Sequence, residues 1–317
     1  MIYLAVFIIL FVLELIYFRF ADHYNIIDKP NNRSSHTKIT LRGGGIVFYF
    51  AALIFFIVHK QYPWFFLGLT LITIISFIDD IMTLSNKIRL LIHFSSVLLM
   101  AYQLELFGMS WHYLILGFIV AVGVINAYNF MDGINGITGC YSLSILSLLL
   151  LANHKYNFIS SDLLYFSIAG LLVFMFFNFR QNAKCFAGDV GAVSIAFILL
   201  FSLGKLIIHK ENLIFILFLS VYGIDTVWTI LGRLSKKENI FKAHRSHLYQ
   251  YLANEAGYNK LVIASAYGVI QFFIGLLVLW LSNQNLTFQI VYSICLLLGL
   301  SAVYLTIKYY IIKIYCK

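Results

Sequence analysis

The residues of this sequence that could do chemistry stand in a few short polar stretches between long apolar segments. One stretch, "NAYNFMDGINGITG" at 126–139, offers amide and carboxylate oxygens from Asn126, Asn129, Asp132 and Asn135. Other stretches contribute acids and bases: Asp79 and Asp80 in "SFIDDIM", Asp189 in "FAGDVGA", and His244, Arg245 and His247 in "HRSHLYQYL". Oxygen ligands of these kinds suit Mg2+, which binds a few protein oxygens together with substrate phosphates. Arginine and histidine can neutralise a diphosphate, and a further carboxylate can act as a base, so the pattern fits phosphoryl transfer.

Each stretch also has an ordinary structural interpretation. An adjacent acidic pair often marks a helix end, and Gly188-Asp189 is a common turn sequence. The glycines at 43–45 are either loop punctuation or a place where the backbone can approach a phosphate closely. His244 and His247 could be simple interfacial residues, and without a cysteine or a third histidine they do not indicate zinc. The functional interpretation of these stretches becomes the better one only because they all fall on one side of the membrane that the composition predicts.

The composition predicts an all-α polytopic integral membrane protein. Of the 317 residues, 62% are hydrophobic and 11% are charged, whereas a soluble domain is about half apolar and about a quarter charged. Long continuous apolar runs satisfy their backbone hydrogen bonds in lipid as helices, and short alternating β-barrel segments are missing from the sequence. The four cysteines have no metal or redox spacing and are interpreted as reduced packing residues.

Eleven apolar segments are candidate transmembrane helices. They lie at about 1–20, 45–59, 63–78, 90–107, 111–126, 138–152, 162–179, 191–208, 213–232, 261–281 and 286–307. We expect one transmembrane catalytic domain over 1–317, with active-site loops at about 20–44, 79–89, 126–139, 180–191 and 233–260.

The lysines and arginines predict the orientation, because cytoplasmic loops carry an excess of them. With the N-terminus outside and the C-terminus in the cytoplasm, most of the 22 fall on the cytoplasmic side. These are Arg19, Lys29, Arg33, Lys38, Arg42, Lys87, Arg89, Arg180, Lys184, Arg233, Lys236, Lys237, Lys242, Arg245, Lys260, Lys308, Lys313 and Lys317. The outer connections hold Lys60, Lys155 and Lys210, and Lys205 falls within an apolar segment.

All of the polar stretches then lie on the cytoplasmic side, which predicts an active site at that membrane surface. The net charge of +9 belongs to the same side. It is divided among short loops, so nucleic acid is a poor explanation for it. Topology and contact with anionic lipid headgroups account for most of these charges.

Together, the stretches resemble a known family. "RSSHTKITLRGGG", "FIDD", "NAYNFMDGINGITG", "FAGDVGA" and "HRSHLYQYL" follow the order of motifs in the polyprenyl-phosphate N-acetylhexosamine-1-phosphate transferases, glycosyltransferase family 4. Each motif is weak alone, but the five span nearly the whole chain. The "RSSHT" and "HRSHL" forms look most like the branch that starts O-antigen and other surface polysaccharides on undecaprenyl phosphate.

The resemblance implies a reaction and its surroundings. A UDP-N-acetylhexosamine would give its sugar-1-phosphate to undecaprenyl phosphate and release UMP, with Mg2+ as cofactor and Mn2+ as an alternative. The expected partners are these two substrates and membrane lipid, without nucleic acid, and homodimerisation is left open. The expected location is the bacterial cytoplasmic (inner) membrane, with the active site on its cytoplasmic face.

The resemblance also implies a role for each matching residue. Asp79 would deprotonate the lipid phosphate with the support of Asp80, and Arg89, with Lys87 beside it, would bind phosphate. Asp189 would be the magnesium ligand, and Asn129 would complete the metal site. The remaining residues would contact the nucleotide sugar: Asp132, Asn135 facing uracil, and His244, Arg245 and His247 on the diphosphate or the sugar.

Two departures from the family pattern narrow these implications. Many bacterial relatives have aspartate where this chain has Asn135, so a catalytic charge is not expected there, although an amide still suits uracil. The "HRSH" of the last loop replaces the triple histidine of the muramoyl-pentapeptide enzyme, which makes a peptidoglycan substrate improbable.

The competing interpretation is an ion- or proton-coupled transporter with carboxylates inside the membrane. A transporter predicts polar residues near the bilayer midplane and an internal repeat. Here the carboxylates stand at the ends of apolar segments on one side, and no repeat is found. A phosphotransferase acting on CDP-alcohols lacks the spaced aspartates expected on a single helix.

Overall fold

A computed structural model describes residues 1–30, 35, 38–82, 84–239 and 244–316, apart from the side chain of Asn86. The helices are α1 (Ile2–His23), α2 (Val47–His59), α3 (Pro63–Ile81), α4 (Asn86–Gln103), α5 (Trp111–Met131), α6 (Ile137–Tyr156), α7 (Ser161–Asn178), α8 (Gly188–Lys210), α9 (Ser220–Ser235), the short α10 (Leu248–Gln250), α11 (Lys260–Leu281) and α12 (Leu286–Tyr315). Strands β1 (Ile27–Asp28) and β2 (Thr40–Leu41) pair antiparallel.

The all-α polytopic membrane fold is confirmed. Within the described ranges, nine helices are long and apolar enough to cross a membrane, counting the 3-10 turn Leu213–Leu219 and α9 as one span. The other two predicted segments are also helical. One is the shorter apolar helix Gly44–His59, and the other is α4, whose first turn carries Lys87 and Arg89.

Helix α8 is the centre of the bundle. Every residue from 190 to 203 is buried, and α2, α3, α5 and α6 pack around the helix. Its sequence "VGAVSIA" begins with small side chains, which let neighbouring helices approach closely where lipid supplies no hydrophobic driving force. Thr73 on α3 and Ser194 on α8 share a buried hydrogen bond of 2.9 Å. The N-terminus of α8 is therefore held rigidly at the end of the bundle where the polar loops meet.

The connections that the sequence assigns to one side do come together at one end of the bundle. The backbone N–H of Phe186 donates to the carbonyl of Leu41, which joins the loop before α8 to β2. Asn135 donates to the carbonyls of Arg180 and Gln181, which joins the loop between α5 and α6 to the same segment. Contacts such as Tyr3 with Asp162, on α1 and α7, tie the other end.

Several predicted helix ends differ from the structure by three residues or more, and at α3, α4, α5 and α8 the difference moves site residues onto helices. Helix α5 continues to Met131, so Asn126 and Asn129 belong to its last turns rather than to a loop. The Asn126 amide donates to the Val122 carbonyl one turn earlier, which keeps a polar residue compatible with the helix. Helix α4 starts at Asn86 rather than 90, and α8 starts at Gly188, which puts Asp189 in its first turn.

Part of the predicted pattern lies outside the described residues. Arg33, Ser34, His36 and Thr37 of the "RSSHT" stretch are among them, as are Lys242 and Lys317 of the predicted cytoplasmic charge.

Candidate active site

Asp189 is the meeting point of four elements at the polar end of the bundle. Its Oδ1 lies 3.1 Å from Nη2 of Arg42, which follows β2. Its Oδ2 lies 3.3 Å from Nδ2 of Asn129 on α5 and 3.6 Å from Nη2 of Arg89 on α4. The Asp189 side chain is 16% exposed, so a ligand can reach it from the aqueous side. We call Arg42, Asp79, Asp80, Arg89 and Asp189 the carboxylate–arginine cluster.

Asp79 joins the cluster from the last turn of α3. One of its oxygens, Oδ2, lies 2.8 Å from Nη1 of Arg89, and the other accepts the backbone N–H of Leu84 at 2.8 Å. The short connection between α3 and α4 thereby folds so that Arg89 faces Asp79. Lys87, predicted to bind phosphate beside Arg89, is exposed in the first turn of α4.

Asp80 has a different position from its neighbour. Its carboxylate is fully buried, accepts the backbone N–H groups of Asp189 and Val190 at 3.0 Å each, and lies 2.6 Å from Nε of Arg42. The first N–H groups of a helix lack partners within the helix and favour a negative charge. Asp80 accepts two of these N–H groups and places a negative charge at the N-terminus of α8. It therefore supports the position of Asp189.

The glycines at 43–45 pack the loop after β2 against the start of α8. A Cβ on Gly45 would lie 2.3 Å from Cα of Gly191, and the N–H groups of Gly44 and Gly45 donate to the carbonyls of Phe186 and Ala187. Since those two N–H groups are already used within the chain, the arrangement favours a packing role over direct phosphate binding. Gly188 has a positive φ of 72°, where an L side chain is strained.

The stretch 126–139 contributes one side of the site. Asp132, directly after α5, accepts a hydrogen bond of 2.7 Å from Thr138. Burial, as the largest cause, and the nearby Asp189 charge together raise the pKa of Asp132 to about 6. Asn135 is buried, and its amide nitrogen donates to the carbonyls of Arg180 and Gln181. Asn135 therefore fixes the loop before α8, and its predicted contact with uracil stays a prediction.

The final loop brings two histidines against the end of α5. The rings of His244 and His247 are stacked with centroids 5.0 Å apart, and both lie within 6.5 Å of the Phe130 ring, next to Asn129. Burial lowers the pKa of His244 to about 4, with a contribution from His247, so His244 is neutral at pH 7. Arg245 pairs with Glu255, Nη2 to Oε1 at 3.3 Å.

Sequence reasoning missed two residues of this region. Arg42 was counted only as a topology signal, yet it bridges Asp80 and Asp189. Asp225, on α9, was not singled out, yet it lies 3.0 Å from His247. An acidic residue inside an apolar segment is a signal in itself, because such residues are costly in membranes and usually functional.

The donor types of the cluster fit a magnesium ion bound jointly with a substrate. Among the described residues no group of three or more His, Cys, Asp and Glu side chains could hold a metal alone. Mg2+ usually takes one or two carboxylates, substrate phosphates and waters, which matches Asp189 at a solvent-reachable position. Asn129 has its amide nitrogen towards Asp189, so its predicted ligand role requires the amide turned to present oxygen.

Comparison with known proteins identifies the family that this chain resembles. The profile of "Glycosyl transferase family 4" matches residues 62–206, which contain most of the cluster. A probable undecaprenyl-phosphate N-acetylglucosaminyl 1-phosphate transferase of Bacillus subtilis is 28% identical over 258 residues, 74% of this chain and 71% of the relative. An undecaprenyl-phosphate alpha-N-acetylglucosaminyl 1-phosphate transferase of Thermotoga maritima is 25% identical over 267 residues, covering 81% and 83%.

A third relative, a putative glycosyltransferase of Methanocaldococcus jannaschii, is 30% identical over 218 residues, 66% of this chain and 68% of the relative. The stretches matched to these three relatives, 258, 267 and 218 residues, are each longer than the one matched by the profile. This chain is therefore a multi-span membrane protein that belongs to glycosyl transferase family 4, the family of the polyprenyl-phosphate N-acetylhexosamine-1-phosphate transferases.

Proposed function

We propose that this protein transfers an N-acetylhexosamine-1-phosphate from a UDP-sugar to undecaprenyl phosphate and releases UMP. One observation carries the proposal: three carboxylates, two arginines and an asparagine converge at one end of the bundle, around a carboxylate that a ligand can reach. The names of the Bacillus and Thermotoga relatives describe transfer of an N-acetylglucosaminyl 1-phosphate with undecaprenyl phosphate. Family membership excludes the transporter alternative.

The reaction requires charge to be controlled on two phosphate groups. An oxygen of the lipid phosphate bonds to the sugar-bound phosphorus, the bond from that phosphorus to the bridging oxygen breaks, and UMP leaves. Asp79, with 8% of its side chain exposed, takes the proton of a protonated lipid phosphate. Arg42 and Arg89 neutralise phosphate oxygens from fixed positions beside the carboxylates, where such preorganised charges are most effective.

The other predicted residues hold the donor. Asp132 and Asn135 lie on the loop that would take the nucleotide, and His244, Arg245 and His247 would take the diphosphate or the sugar. Asp189 and Asn129 would hold Mg2+, or Mn2+, which offsets negative charge on the donor's diphosphate when it is bound.

We place the site on the cytoplasmic face of a bacterial inner membrane, because the donor is a cytoplasmic nucleotide and the polar end carries most of the positive loops. The product would start a surface polysaccharide of the O-antigen type.

The test uses purified protein with Mg2+, undecaprenyl phosphate and a panel of UDP-N-acetyl sugars, and it measures UMP release. We expect release with at least one sugar, loss of release in excess chelator, and loss of release for Asp189→Asn at unchanged folding. Asp162→Asn is the matched control: this carboxylate also pairs with a neighbour, His59 at 3.0 Å, but at the opposite end of the bundle. Wild-type turnover in excess chelator would contradict the metal role. No release with any donor would contradict the proposed function.

A further inference from the structure

A buried carboxylate on α9 is bonded directly to the final loop. Asp225 Oδ1 lies 3.0 Å from Nδ1 of His247, and both side chains are 1% exposed. Asp225 was not among the residues implied by the family motifs. It links a transmembrane helix to a loop that we assign to the donor site.

Other contacts of Asp225, which include the hydroxyls of Thr229 and Tyr304 at 3.3 Å each, define its hydrogen-bonding state. Its Oδ2 accepts the Tyr267 hydroxyl at 2.7 Å, and its Oδ1 also accepts the backbone N–H of Leu248 at 3.2 Å. A carboxylate that accepts from several donors at once acts as the ionised, acceptor-only form. The proton of the His247–Asp225 bond therefore belongs to Nδ1 of His247, which leaves Nε2 as the atom available to a ligand.

The other ring nitrogen of His247, Nε2, is buried and has no hydrogen-bond partner among the residues that the structure describes. A buried polar atom without a partner costs free energy, and such atoms in folded proteins call for an explanation. The ring centroids of His247 and Phe130 lie 6.5 Å apart, and Phe130 follows Asn129, whose amide contacts Asp189 of the carboxylate–arginine cluster.

We propose that Asp225 is a positioning residue for His247: it fixes the ring and its Nδ1–H so that Nε2 meets the donor's diphosphate. This inference rests on the proposed function and deepens it. When the imidazole is protonated, Nε2–H donates to a phosphate oxygen. The arrangement uses the same physical logic as an aspartate behind a catalytic histidine in hydrolases. Asp225 itself touches no substrate.

A double-mutant cycle separates this role from a purely structural one. UMP release is measured for wild type, Asp225→Asn, His247→Gln and the double variant, with kcat and KM for the UDP-sugar and with the melting temperature in detergent. We expect Asp225→Asn to lower kcat about tenfold or more. In the His247→Gln background the same substitution should change kcat by less than about twofold, because the residue it positions is already gone.

Asp162→Asn is the control, since it breaks the aspartate–histidine pair at the opposite end of the bundle. It should leave kcat unchanged. If Asp225→Asn does not fold, Asp225→Glu, which keeps the charge and displaces the imidazole, replaces it in the cycle. If Asp225→Asn lowers kcat by the same factor in the wild-type and His247→Gln backgrounds, the positioning role is overturned. Turnover by the wild type would still uphold the proposed function in that case. An inactive wild type would instead overturn the proposed function.

Discussion

Asp79 and Asp80 are neighbours in the chain with different surroundings, and this separates their tasks. Successive residues of an α-helix point about 100° apart. Asp79 therefore faces Arg89 and the connection to α4, whereas Asp80 faces Arg42 and the N-terminus of α8. The repulsion expected between two adjacent carboxylates is relieved because each has its own guanidinium. The pair is not one shared functional group.

Asp79→Asn tests the base assignment. We expect turnover to fall far more than UDP-sugar affinity, because a base acts on the lipid phosphate and not on the nucleotide. Activity measurements at saturating lipid, together with calorimetry of UDP-sugar binding, distinguish the two effects. Collapse of UDP-sugar affinity with normal residual turnover at saturation would show that the base assignment is wrong.

Arg245→Lys tests the final loop. A guanidinium can bond two phosphate oxygens at once and a lysine cannot, so we expect turnover to fall about tenfold or more, one decade being about 1.36 kcal/mol. The measurement is UMP release at equal membrane abundance.

The control for Arg245 is its ion-pair partner. Glu255→Gln removes the charge that Arg245 faces at 3.3 Å while keeping the arginine. If the pair were only structural, Glu255→Gln and Arg245→Lys would lower turnover alike. Near wild-type release from Arg245→Lys would favour a role in topology alone.

At the residue scale, the sequence predicted that Asp79 and Asp189 belong to one site but not which side chains hold them in place. Asp79, Arg89 and Asp189 were predicted to act together, and the structure brings them within ion-pair distance. Arg42 could not be distinguished from the other loop arginines, because a count of positive charges says nothing about distance. Asp225 carried a readable signal, a lone acid in an apolar segment, that the motif pattern did not include.

At the scale of elements, the packing of the glycine loop on α8 fixes the site. A Cβ on Gly45 would come within 2.3 Å of the Gly191 backbone, and a backbone cannot move aside as a flexible side chain can. We expect Gly45→Ala to displace the loop that carries Arg42. The cost should be about 1–3 kcal/mol, as for other overpacked sites, and UMP release should fall with it.

Gly123→Ala on α5 is the matched control, since a Cβ there meets nothing within 4 Å. It should leave the melting temperature in detergent and the UMP release unchanged or slightly higher, because alanine is a better helix former than glycine. Equal melting temperatures and activities for Gly45→Ala and Gly123→Ala would contradict the packing role.

Helix existence was predictable and helix ends were not, for a physical reason. A transmembrane segment is recognised in the sequence by its continuous apolar residues, so the predicted helix stops where polar residues begin. Helices α3, α5 and α8 instead carry polar residues in their end turns, where Asp79, Asn129 and Asp189 bond to side chains of other elements. The functional acids are consequently on helices, which hold them more rigidly than loops would.

At the scale of the whole molecule, the two ends differ in kind. The end with the carboxylate–arginine cluster gathers the long loops, whereas the opposite end has short connections tied by contacts such as those of Asp162 with Tyr3 and His59. This asymmetry was predictable from the sequence because the polar stretches and most of the lysines and arginines fall in alternate connections between the apolar segments. Contacts between loops distant in the chain, such as Asn135 with the segment before α8, needed the three-dimensional structure.

Sidedness is the last prediction, and it tests the orientation independently of catalysis. Lys60 follows α2 and Lys236 follows α9; both side chains are exposed, and neither is assigned to the site. In a background that lacks the exposed cysteines Cys295 and Cys316, single Lys60→Cys and Lys236→Cys variants report one end each. With the N-terminus outside, a membrane-impermeant maleimide added to intact spheroplasts should label Lys60→Cys, whereas Lys236→Cys should label only after the membrane is opened. The reverse pattern would overturn the orientation and with it the cytoplasmic location of the site, because the positive loops and the cluster share one end.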